Sequence, residues 1–205
     1  MPIIKQSENT FEPVPQGTHP ARCCGMVSLG TQPSNHPKYQ PSFKVVLMFE
    51  FPNEIIEIKG ERKPMMTNHF LSAYLGSTKK PSKAAQFLTS WRGRAFTEQE
   101  LAGFDLSKVI GAPCLLGIVH EDRGGSMREV ISSISPLPKG MAAPPAITKP
   151  IHFEVEDGRG DKFKALPEWM QKMIESCEEW TSPKVAAPEP SDNDGDNVET
   201  DGPGF

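Results

Sequence analysis

The sequence predicts a mainly β domain: a five-stranded barrel with a helical insertion between strands 3 and 4, extended by a C-terminal amphipathic helix and a disordered acidic tail. Three observations carry this. In SFKVVLMFEF (42–51), Phe43, Val45, Leu47, Phe49 and Phe51 alternate onto one face, the period of a strand. In PSKAAQFLTSW (81–91), Ala84, Phe87, Leu88 and Trp91 recur at i, i+3, i+4 and i+7, the period of a helix. Residues 112–137 return to two apolar runs around DRGGS (122–126), whose glycines supply the positive φ of a hairpin turn.

The remaining elements follow in order. Residues 1–20 read as a Pro-interrupted arm with no long apolar run, so no secretory signal is expected. ARCCGMVSLG (21–30) is the first strand, closed by Gly30, and TQPSNHPKYQP (31–41) is a loop on its three prolines. The opposite face of the 42–51 strand, Lys44, Val46, Met48 and Glu50, is mixed and expected to be partly exposed. EIIEIKGERK (54–63) is a further strand that runs into a Gly turn, and PMMTNHFLSAYL (64–75) is the third main strand. Thr97 and Glu100 stand at capping-box spacing and start a short second helix in FTEQELAGF (96–104). APCLLGIVHE (112–121) and MREVISSISPL (127–137) make the closing hairpin.

PLPKGMAAPPAITKP (136–150) is Pro-rich and extended, so residues 141–165 read as a linker beyond a domain at 21–140. In LPEWMQKMIESCEEW (166–180), Trp169, Met170, Met173, Ile174, Cys177 and Trp180 share one side. This amphipathic helix, 166–181, packs on the core or on another subunit, which makes a homo-oligomer a candidate. Residues 182–205 have no periodicity and read as a disordered tail.

The order β-β-β-α-β-β is that of the OB-fold, a five-stranded Greek-key barrel that commonly binds oligonucleotides. A length of 205 residues suits one such domain with extensions. No segment approaches the ~20 apolar residues of a membrane span, so no membrane partner is expected. Four cysteines without CxxC spacing read as reduced, buried thiols of a cytoplasmic protein.

Catalysis finds no support in the residues. His19, His36, His69, His120 and His152 have no zinc-binding spacing, so no metal is expected. GERKPMMT lacks the Gly-Lys-Ser/Thr of a phosphate-binding loop, and no GxSxG elbow occurs. The RGD in GRGDK (158–162) reads as a turn. Neither an enzyme nor a bound cofactor is expected.

Charge is asymmetric along the chain. The net of −4 hides +5 over residues 1–150 and −9 over residues 151–205. That pattern points to a cationic surface for a polyanion and an acidic tail. SWRGR (90–94) sets Trp91 beside Arg92 and Arg94; arginine forks onto phosphate, and indole offers a π face. The competing reading makes Trp91 core and gives the arginines to the helix end or to Glu98 and Glu100. GSTKKPSK (76–83) brings Lys79, Lys80 and Lys83 onto one loop, and GERK adds Arg62 and Lys63 at a turn. Arg22, Lys44 and Arg128 lie in predicted strands and Arg123 on the closing hairpin. Tyr39, Phe70 and Tyr74 are the aromatic candidates near loops. Together the basic residues predict a cationic surface.

The tail EPSDNDGDNVETDGPGF carries six acids and no Lys or Arg, and it ends on Phe205. A ring and an α-carboxylate at one point suit a partner pocket with an apolar hole and a basic rim. The tail resembles the acidic C-terminal tails of bacterial and phage single-stranded DNA-binding proteins, which end in Phe and recruit replication and repair partners. FLTSWRGRAFTEQELAGFDLSKVIGAPCLLGIVH (87–120) looks like small proteins of phage replication and recombination gene clusters. The resemblance spans roughly residues 17–140. It implies a non-catalytic, OB-fold protein that binds single-stranded DNA in a bacterial host cytoplasm. In that role Asp196, Glu199, Asp201 and Phe205 would dock replication or recombination proteins, and the tail would compete with DNA for the cationic groove. The alternative is a protein-interaction module whose working parts are the C-terminal helix and tail, with no nucleic acid bound.

Overall fold

Alternating apolar residues and the bulges that interrupt them shape the molecule. The computed structural model describes residues 12–34, 38, 40–125 and 127–182. Five antiparallel strands, β1 (Gly17–Gln32), β2 (Ser42–Ile58), β3 (Glu61–Ser72), β4 (Pro113–Asp122) and β5 (Met127–Ser135), form a curled half-barrel in the order β3-β2-β1-β4-β5. A short β6 (Ile151–Phe153) lies parallel to β1. The register slips between Cys23 and Gly25 and between Phe51 and Ile55. Such bulges bend long strands and let one sheet curl around a core. The second slip also joins two runs that read separately in the sequence, 42–51 and 54–58, into one β2.

The inner face holds the expected stripe. Val45, Leu47, Phe49 and Phe51 of β2 are buried with Ala21, Cys23 and Met26 of β1 and Cys114, Leu116 and Ile118 of β4. Between β3 and β4 the chain forms α1 (Lys83–Arg92) and α2 (Glu98–Ala102), then a 3-10 turn at Leu106–Val109. Ser82 caps α1 by accepting the Ala85 N–H at 3.1 Å, and Ala84, Ala85, Leu88 and Trp91 close over the inner face. Thr97 and Glu100 form the capping box of α2 through reciprocal bonds of 3.0 and 3.2 Å.

The outer face differs from expectation. Val46, Met48 and Glu50 are buried, together with Cys24, Val27 and Leu29 of β1. Their cover is the C-terminal segment. Within 141–165, read as linker, the chain forms β6, a 3-10 turn at Val155–Asp157 and α3 (Asp161–Lys164). Charged side chains hold the stretch before β6 to the sheet. Arg22 donates to the Pro144 carbonyl at 3.0 Å, and Glu50 accepts the N–H groups of Ile147 and Thr148 at 3.1 and 2.7 Å. Gly25 lets β6 approach, since a Cβ there would lie 3.0 Å from the Ile151 carbonyl.

The expected helix 166–181 is two helices, α4 (Glu168–Glu175) and α5 (Glu178–Thr181), with Cys177 extended between them. The break has a packing cause. It seats Cys177 against Gly30 and lets Glu179 accept the Thr31 N–H at 2.8 Å and the Thr31 hydroxyl at 2.7 Å. Met170, Ile174 and Cys177 are fully buried, so the apolar stripe packs on this chain's own sheet. All four cysteines are free and buried, and burial pushes the Cys23 and Cys24 thiols up to about 12. Among the described residues no helix is long and apolar enough to cross a membrane.

Candidate nucleic-acid interface

β3 ends the strand order on one side, and its outer surface is only partly covered. Lys44 pairs in register with Ser72, and Val46 with Phe70, which sets Lys44, Phe70 and Ser72 on one face. The Lys44 ammonium donates to the Ser72 hydroxyl at 2.7 Å. Phe70 stays 50 % exposed, and its ring lies 5.9 Å from that of Trp169 on α4.

Beyond β3 the chain turns tightly before α1. Ser82 donates its hydroxyl to the Tyr74 carbonyl and its N–H to Leu75 at 2.9 Å. Ser77 and Lys80 exchange backbone bonds of 3.1 and 3.2 Å. The closed loop leaves the Lys79, Lys80 and Lys83 side chains in solvent, and none joins an ion pair among the described residues. Tyr74 is 70 % exposed beside them. A groove of about 480 Å³ runs between the end of β3 and α1, lined by His69, Phe70, Ser72, Tyr74, Lys83 and Phe87 among others. His69 stacks on Phe87 with centroids 4.0 Å apart, and burial pushes its pKa down to about 4, so the ring is neutral near pH 7.

Six residues singled out in the sequence, Lys44, Phe70, Tyr74, Lys79, Lys80 and Lys83, thus lie around one end of β3. The others lie elsewhere. Arg62 and Lys63 are at the opposite end, near a groove of about 870 Å³ that Ile56, Ile58, Met65 and Ile147 also line. Lys63 is 2.6 Å from Glu61. Arg22 is held against the 144–148 strap, Arg123 pairs with Glu121 at 3.0 Å, and Arg128 stands opposite Glu121 on β5.

Trp91 offers no face to a base. It is 5 % exposed, donates its indole N–H to the Pro113 carbonyl at 3.0 Å, and packs on Phe49 and Phe87. Arg92 lies over the rings of Phe96 and Phe104, at 4.3 and 5.2 Å, and pairs with Glu100. Arg94 pairs with the same carboxylate at 2.7 Å. Bonds from Arg94, the Thr97 backbone and Arg92 hold the Glu100 carboxyl down to about 2. SWRGR is therefore built into the α1–α2 corner.

Tyr39 and the tail residues Asp196, Glu199, Asp201 and Phe205 lie outside the described residues. In the sequence Trp169 stands only as part of a packing stripe. The signal that marks it is its place beside the Met170–Ile174 line and not on it, at the edge of the apolar face. No protein-family model matches the chain, and no curated protein matches it.

Proposed function

We propose that this chain is a non-catalytic single-stranded DNA-binding protein, with an OB-like barrel that holds the strand along the open surface of β3 and the 76–83 loop. The single observation that carries the reading is the clustering of exposed aromatics, Phe70 and Tyr74, with Lys44, Lys79, Lys80 and Lys83. Stacking platforms interleaved with cations grip a flexible polyanion with little sequence preference. The strand order and the helices between β3 and β4 support the OB-like assignment, and in that architecture the surface of strands 2 and 3 takes oligonucleotides. The resemblance to phage replication and recombination proteins fits the same role, with the acidic tail competing for the lysines and docking partner proteins. Against the protein-interaction alternative stands the burial of Met170, Ile174 and Cys177, which leaves the C-terminal helix little apolar face to offer.

The test is anisotropy of a labelled dT oligonucleotide at rising salt. Binding at low salt that weakens with a log–log slope of roughly −0.7 per phosphate contact is expected. Absence of binding at low salt, or binding indifferent to salt, overturns the reading.

A further inference from the structure

We infer that Trp169, contributed by the C-terminal helix α4, is a base-stacking residue of the same surface, so that the segment covering the sheet also completes its binding site. The inference rests on the nucleic-acid reading above. Three tryptophans occupy three kinds of environment. Trp91 is buried and bonded to Pro113, and Trp180 donates its indole N–H to the Val155 carbonyl at 3.2 Å while Arg159 lies over its ring. Trp169 is 38 % exposed, and its indole N–H has no partner among the described residues. Met170 and Ile174 already fill the contact between α4 and the sheet, so the helix does not need an indole at its rim to dock.

What Trp169 does touch is Phe70. The two rings are 5.9 Å apart at 45°, one from β3 and one from α4, and both keep area open to water. Lys44 on Ser72 stands one position further along the same face. A base laid on Phe70 meets the indole on one flank, while its phosphate has an ammonium within the neighbouring residue pair. Large apolar rings left exposed in pairs beside a cation are what an unpaired nucleobase recognises.

Trp169→Phe and Trp169→Ala in the full-length chain, titrated with unlabelled dT oligonucleotide, test this. Binding should quench the intrinsic fluorescence of the wild type, and Trp169→Phe should abolish most of that quench while retaining affinity within about threefold. Trp169→Ala should lose about tenfold in affinity, and Trp180→Phe should keep the quench. If the wild type binds dT but Trp169→Phe quenches as before and Trp169→Ala binds as tightly, Trp169 lies outside the site while the nucleic-acid reading stands. If the wild type does not bind dT at all, both fall together.

Discussion

The carboxylate of Glu50, fully buried on β2, accepts the backbone N–H of Thr148 at 2.7 Å across 98 positions of sequence, and the adjacent N–H of Ile147 at 3.1 Å. A buried carboxylate is costly without partners, and two amides of the Pro-rich strap supply them. Glu50→Ala orphans both amides and should lower unfolding free energy by about 2–4 kcal/mol. Glu50→Gln, which keeps one acceptor oxygen, should fall between. Urea unfolding measures both, and an unchanged midpoint for Glu50→Ala would show that the strap is not held there.

Gly30 has φ 72°, and a Cβ on it would come within 2.7 Å of the Cys177 Cβ. Gly30→Ala therefore meets backbone strain and a packing clash together. A loss of about 2–4 kcal/mol is expected, with Trp180 fluorescence shifting as α5 lifts from β1. A midpoint within error of wild type would mean that the helix moves aside without cost.

His69 links stability to acid. Its folded pKa is pushed down to about 4 by burial, below the ordinary 6.5. Between those values the unfolded chain binds the proton and the folded chain does not, so stability falls as pH drops from 6.5 towards 4 and levels off below. The upper bound on the effect is roughly 3 kcal/mol. His69→Phe retains a ring against Phe87 and should flatten the melting temperature across that window relative to wild type. Equal slopes for the two proteins would remove His69 from the account.

Lysine and arginine changes should separate by kind. Lys79→Gln with Lys80→Gln and Lys83→Gln should weaken dT binding and reduce the salt slope by about 2, with melting unchanged. Arg92→Ala with Arg94→Ala should instead lower the melting temperature, because both hold Glu100, and leave the salt slope at wild type. The Glu100 contribution is present above pH 4.5 and is lost only as pH falls towards about 2. A changed slope in the arginine variant would return SWRGR to the binding surface.

Much of the fold was legible because it obeys one period at a time. The β2 stripe, the α1 stripe and the Thr97–Glu100 box each declare themselves within ten residues. What was hidden depends on distant partners. Nothing local in ARCCGMVSLG marks the bulge after Cys23 that shifts the inward positions from Ala21 and Cys23 to Met26, and nothing near Glu50 announces Thr148. The mixed outer face of β2 reads as solvated because its cover lies about 100 residues further along the chain. At the candidate site, the lysine loop could be read from its turn chemistry. That Trp91 is buried while Trp169 stays partly open is decided only once α1 and α4 are docked, since a tryptophan on an amphipathic stripe does not reveal which side of the rim it takes.

The C-terminal cover also bears on where this chain can be cut. A fragment ending near residue 140 would strip Phe153, Phe163, Met170 and Ile174 from the sheet and leave Cys24, Val27, Leu29, Val46 and Met48 wet. Such a fragment would present a bare apolar wall and should clump in the test tube. A piece meant to fold alone should therefore run at least through Thr181, so that α4 and α5 stay on the sheet.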